Sequence, residues 1–297
     1  MHNLDDRFRD LGAPQRLFAI GALDGDAVRL RLLHDCLLDV MQPGDCLVYL
    51  GDYVNRRDGL AALDELLLFR RMMMIRPGIE AADFVYLRGV CEESWQKLLR
   101  LPFAREPEKA LERLLDEGAE HYLHAYGLDY HDGQNAVRVG IPAIMRWVHH
   151  LRLEQRAHAG HEPLLRSMRR AAFTSGRHKL LFVPCGFDPA KSLAEQDRAL
   201  WSGVSGFGRI VAPAQGYARI IRGRDAAGLG LHAGDATLTL DPMDGQGPIL
   251  CAEILPDGRI SDLFKIHPAP DNDAFDAPGN AIKSNHSAHD VAPMQAV

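Results

Sequence analysis

The chain has 297 residues, 46% of them hydrophobic and 25% charged, with a formal net charge of -6. That balance is the one expected of a soluble globular protein with a sizeable core. The acidic excess argues against a general nucleic-acid binder, and no apolar run approaches the roughly 18 residues of a membrane span. The polar, acidic start does not read as a secretory signal. Five scattered cysteines (Cys36, Cys46, Cys91, Cys185 and Cys251), with no C-x-x-C pair, point to reduced thiols in a cytoplasmic setting.

In chain order, the apolar run 17–20 predicts a buried strand, and residues 26–41 a helix with Val28, Leu32, Leu33 and Leu37 at helical spacing. A strand at 46–50, a helix at 60–74 and a strand at 83–87 follow, an alternation that predicts an α/β sheet with short loops at strand ends. Residues 92–174 read as mainly helical, with breaks near Pro102, Gly127 and Gly160. Strands are expected again at 179–183 and 209–211, and residues 228–266 read as a β-meander. These elements predict one domain over residues 1–266. Beyond it, 267–297 is rich in Pro, Asp, Asn, Ala and Ser with Phe275 its one aromatic, so this tail is expected to stay unordered.

Five short segments recur at expected strand ends: Gly21-Ala22-Leu23-Asp24-Gly25, Gly51-Asp52-Tyr53-Val54-Asn55-Arg56-Arg57, Gly89-Val90-Cys91-Glu92, Pro184-Cys185-Gly186 and Pro213-Ala214-Gln215. In this order they resemble the GDxHG, GDxVDRG, GNHE, HAG and GHT loops of the phosphoprotein phosphatases, a branch of the calcineurin-like metallophosphoesterases. Connecting pieces resemble that family too, notably 117–127 and the stretch from Phe182 to Trp201, so the resemblance spans roughly residues 16–265. Each motif alone is weak, but their fixed order on strand ends is not a chance pattern. The resemblance implies a central β-sandwich flanked by helices, with the helical segment inserted between the third loop and the later strands.

What the resemblance implies about chemistry is mostly loss. The family hydrolyses phosphate esters with two metal ions about 3.5–4 Å apart that share a carboxylate. Carried over by position, Asp52 is the bridging carboxylate, and Asp24 stands where a ligand His is usual. The remaining ligand positions fall on Ala22, Val90, Pro184 and Ala214, none with a side-chain donor. The leaving-group His falls on Cys91 and its carboxylate partner on Asn55, so no catalytic residue is expected. No cofactor is expected either; a bound metal would be manganese or iron at partial occupancy. Arg56, Arg57 and Arg88 remain as candidate phosphate-binding cations.

The expected function is that of an inactive, degenerate bacterial-type phosphatase, a pseudophosphatase, that binds a phosphorylated protein or other anion. The alternative is a residually active phosphoesterase using Asp24, Asp52 and Glu92 with His232 or Cys91. His158-Ala159-Gly160 and His232-Ala233-Gly234 also spell HAG, but neither sits at the expected strand end. His121 and His124 are best read as a solvated helix face, and Cys91 and Cys185 as buried apolar thiols.

Overall fold

The computed structural model describes residues 7–54, 59–203 and 206–268. Short β1 (Phe8–Asp10) precedes β2 (Arg16–Ile20), α1 (Ala27–Val40), β3 (Asp45–Tyr49), α2 (Gly59–Met74) and β4 (Phe84–Tyr86). A helical stretch follows: α3 (Val90–Leu98), α4 (Pro107–Leu114), a π turn at Leu115–Ala119, α5 (Glu120–Ala125), α6 (Tyr130–Val139), α7 (Ile141–Ala157) and α8 (His161–Ser167). The remaining strands are β5 (Ala171–Phe173), β6 (Leu180–Val183), β7 (Arg219–Arg222), β8 (Leu231–Ala233), β9 (Thr237–Leu240), β10 (Ile249–Ile254) and β11 (Ile260–Ile266).

The strands form two mixed sheets, a six-stranded one in the order β1-β5-β6-β7-β9-β8 and a five-stranded one in the order β11-β10-β2-β3-β4. The protein is therefore α/β, with strand period 2 dividing each strand between two layers. Leu17, Ala19, Cys46, Val48 and Leu250 of one sheet meet Leu180, Phe182, Ile221 and Leu238 of the other, a dry sandwich interior. The alternate residues Phe18, Ile20, Leu47 and Tyr49 face the helices, where Leu33, Leu63, Trp95 and Tyr122 complete the largest core. Leu181, Val183 and Ile220 face outward from the six-stranded sheet, covered by Phe187, Leu200 and Phe207 of the segment that follows β6.

Three expectations need correction. Residues 209–211 form no strand; a 3₁₀ turn, Phe207–Arg209, stands there, and the strand beside β6 is β7. The run 228–266 is not one meander, because β8 and β9 join the six-stranded sheet while β10 and β11 join the other. The helical segment ends at Ser167, and Ala171–Phe173 is already strand. The expected tail falls almost wholly outside the described residues. Among the described residues no helix is long and apolar enough to cross a membrane.

The parallel strands β2, β3 and β4, and likewise β6, β7 and β9, direct their carboxyl ends to one edge of the sandwich. In open α/β sheets that is where loops gather to make sites.

Candidate functional site

The loops after β2, β3, β6 and β7 are tied together there by main-chain hydrogen bonds. Asp24 N–H donates to the Asp52 carbonyl (3.0 Å), and Ala22 N–H to the Gly223 carbonyl (3.1 Å). Gly223 and Arg224 N–H both donate to the Pro184 carbonyl, at 3.0 and 2.9 Å. Asp24 and Asp52 adopt left-handed backbone, with φ of 50° and 55°. Aspartate tolerates this region better than most residues, yet such residues still cost on the order of 1 kcal/mol or more and gather at functional sites. The loop after β4 presses on Asp52 so closely that a Cβ at Gly89 would overlap its carboxylate. Gly89 is thus required by close approach.

The centre of the site is Arg224. Its guanidinium donates Nε–H to Asp52 Oδ2 (2.7 Å), one terminal nitrogen to Asp24 Oδ1, and the other to Asp244 Oδ1 (2.8 Å). Asp24 and Asp52 are buried, and the Arg224 side chain is 13% exposed. Burial disfavours the charged guanidinium, but the Asp52 and Asp24 carboxylates outweigh it and raise its pKa. Three planar charge-assisted bonds are the arrangement at which arginine excels. The loop carrying Asp244 is anchored by Arg29, which donates to the Gly247 and Gly245 carbonyls at 2.6 and 3.1 Å. Buried Asp241, at the end of β9, brings a further carboxyl whose pKa burial raises.

Behind Asp52 lies Glu92 on α3. Its buried carboxylate accepts from the N–H of Asp52 (2.9 Å), Tyr53 (2.9 Å) and Gly89 (2.8 Å) and from the Tyr122 hydroxyl (2.9 Å). It therefore braces the loops after β3 and β4 from within. Burial first, and then the charge of Asp52, push its pKa up to about 7 against the hydrogen bonds from Tyr122, Tyr53 and Asp52.

The sequence-predicted residues divide sharply. Asp24 and Asp52 are brought together by Arg224. Ala22 is buried beside them, and Val90 opens α3, where the N–H of buried Cys91 lies 3.5 Å from Asp52 Oδ1. Burial pushes the thiol pKa of Cys91 well up, and that of Cys185 up to about 12, so both are held as neutral thiols. Ala214 is misplaced: it closes a turn with Tyr217 ahead of β7, at the opposite end of that strand. The turn after β7 is Gly223-Arg224, so Arg224 stands where Ala214 was expected. His232 lies exposed on the edge strand β8. Asn55, Arg56 and Arg57 lie outside the described residues.

Arg88 joins a different group. Its guanidinium lies 3.2 Å from Glu93 Oε2, an ion pair without hydrogen-bond alignment, and Lys97 and Arg170 approach Glu93 Oε1 at 3.5 and 3.7 Å. Burial first, and then the neighbouring Arg170, Arg100 and Arg169, lower the Arg88 pKa against the pull of Glu93. The Trp201 Nε1–H donates to the Arg88 carbonyl (2.8 Å), with Lys97 and Arg170 each over the indole at 5.5 and 5.2 Å.

No protein-family model matches the chain, and no curated protein matches it. Among solved structures, one described as a protein serine/threonine phosphatase from Saccharomyces cerevisiae with similarity to human phosphatase PP5 aligns with it. The alignment covers 90% of this chain and 84% of that chain, at 11% sequence identity and a TM-score of 0.43.

Proposed function

We propose that this chain is a phosphatase-like protein that does not hydrolyse phosphate esters and serves as a binding or regulatory module. The observation that carries the reading is Arg224, a positive charge on the chain itself between Asp24 and Asp52. A close pair of divalent cations does not fit this donor set. The facing oxygens of Asp24 and Asp52 are engaged by the guanidinium, and Ala22, Val90, Pro184 and Arg224 bring no side-chain electron pair to a metal. Asn55 has no proton to give a leaving oxygen, and Cys91, its thiol pKa pushed well up by burial, is too weak an acid to protonate one efficiently. The ordered loop motifs and the two-sheet sandwich support the phosphatase-like fold, and the filled centre supports the loss of hydrolysis.

Elemental analysis of the purified chain with a phenyl phosphate turnover assay tests this reading. Manganese and iron well below one equivalent are expected, with no turnover above the blank. Two equivalents of metal with turnover abolished by Asp52→Asn would overturn it.

A further inference from the structure

The Arg224 cleft is a poor place for an anion. There, among the described residues, the Arg224 guanidinium is shared by the carboxylates of Asp24, Asp52 and Asp244, so its charge is already engaged. The opposite balance holds along α3. Glu93 is approached by Arg88, Lys97 and Arg170, and Glu117 by Arg198 at 2.8 Å and Arg113 at 3.9 Å. Five cations thus share two carboxylates, a concentration of positive charge on a chain of net charge -6.

This charge surrounds a cavity of about 170 Å³ between α3 and the Arg198–Leu200 turn, lined by Ser94, Lys97, Arg198, Trp201 and Ser202 together with the two glutamates. It is smaller than the roughly 300–1,000 Å³ that holds a whole small molecule, and suits a single polar group. Its donors exceed its acceptors. Lys97, Arg198 and the Ser202 hydroxyl face it, the Ser94 hydroxyl donating to the Glu117 carbonyl (3.1 Å), while Arg88 and Arg170 stand behind Glu93 and Trp201 with buried Nε–H groups that have no acceptor, and Glu93 Oε2 is likewise without a donor. Lys97 and Arg198 are 41% and 68% exposed, so exchanging a carboxylate for a doubly charged anion costs them little.

We propose that this cavity binds the phosphate group of a phosphate monoester, with Lys97 and Arg198 as its direct cationic contacts and Trp201 as its wall. The inference rests on the binding role given above and moves the anion from the Arg224 cleft to α3. Lys97 and Arg198 grip the oxygens, the Ser202 hydroxyl donates, and Arg88 and Arg170 supply the field from behind.

The test is titration of the full chain with inorganic phosphate, phenyl phosphate, and a phosphoserine peptide beside its unphosphorylated twin. Binding is followed by calorimetry and by tryptophan fluorescence, with Trp201→Phe to assign the signal. Saturable binding weakened at least about tenfold by Lys97→Glu and by Arg198→Glu is expected, with Lys265→Glu, an equal charge change on exposed β11, leaving it unaltered. Binding by all three phosphates assigns the free group as ligand, and binding by the phosphopeptide alone assigns a phosphorylated protein; either supports the site. Absence of binding by every probe, or binding indifferent to both α3 variants, overturns it. Release of phenol from phenyl phosphate would overturn the non-hydrolytic reading instead, so the two failures are distinguishable.

Discussion

Arg224 decides the character of the site. Arg224 bonds two buried carboxylates on left-handed loops, so its loss removes the cation they share in a desolvated place. Arg224→Ala is expected to lower stability by about 3–5 kcal/mol, as breaking other buried ion pairs does, measured by urea denaturation. The same variant is expected to gain calorimetrically detectable Mn²⁺ binding that the parent lacks, and to recover stability when the ion is added. A variant as stable as the parent and equally indifferent to Mn²⁺ would show that the guanidinium does not stand in for a cation. Asp24 and Asp52 were legible in the sequence because short glycine turns after apolar runs announce strand ends. Arg224 was not, because its strand has only Ile220 and Ile221 as apolar residues between two arginines. Those charges are absorbed in three dimensions. Arg219 donates to the Gly258 and Gly234 carbonyls, and Arg222 pairs with Asp225 and lies over the Phe207 ring.

Among the elements, α1, α2 and β3 are joined by a buried polar chain that no motif signals. Burial keeps the Tyr49 hydroxyl protonated by raising its pKa, so it donates to His34 Nε2 (2.9 Å); the ring's Nδ1–H then donates to Glu65 (2.7 Å). Phe69 stacks on the imidazole at 3.9 Å between centroids. Burial lowers the His34 pKa below its ordinary 6.5 against the opposing pull of Glu65. The unfolded chain therefore takes up a proton that the native ring resists, and stability falls as pH drops below about 6.5. His34→Gln should flatten that slope between about pH 7 and pH 5 in denaturation measured across the range; an unchanged slope would remove His34 as its source. The early strands and helices, by contrast, were readable to within a residue or so at most of their ends. Their apolar periods match the layers they face: Leu17 and Ala19 the sandwich, Phe18 and Ile20 the helices. Residues 209–211 misled because Ile210 and Val211 have strand propensity. Ile210 instead packs on the outer face of the six-stranded sheet, while Val211 is exposed. Propensity gave way to tertiary packing.

At the scale of the whole molecule, the described residues place a carboxylate cluster around Arg224 and a cationic cluster around Glu93, joined by α3. The helix begins beside Asp52 and carries Lys97 near its end, so the Arg224 centre and the cationic cavity are parts of one unit. The division of the later strands between the sheets was not legible, because alternation marks a strand but carries no information on which sheet it joins.

Arg224 has one more consequence, which concerns mass action. A fold held by a free ion gains stability with the logarithm of that ion's concentration and loses it to a chelator. A cation attached to the chain has no concentration in the medium; its local concentration is set by the backbone and is the same in every solution. The melting temperature should therefore be identical in EDTA and in millimolar Mn²⁺, and a chelator-induced drop in calorimetry would contradict this. On that expectation, a scarcity of metal would not unload this site.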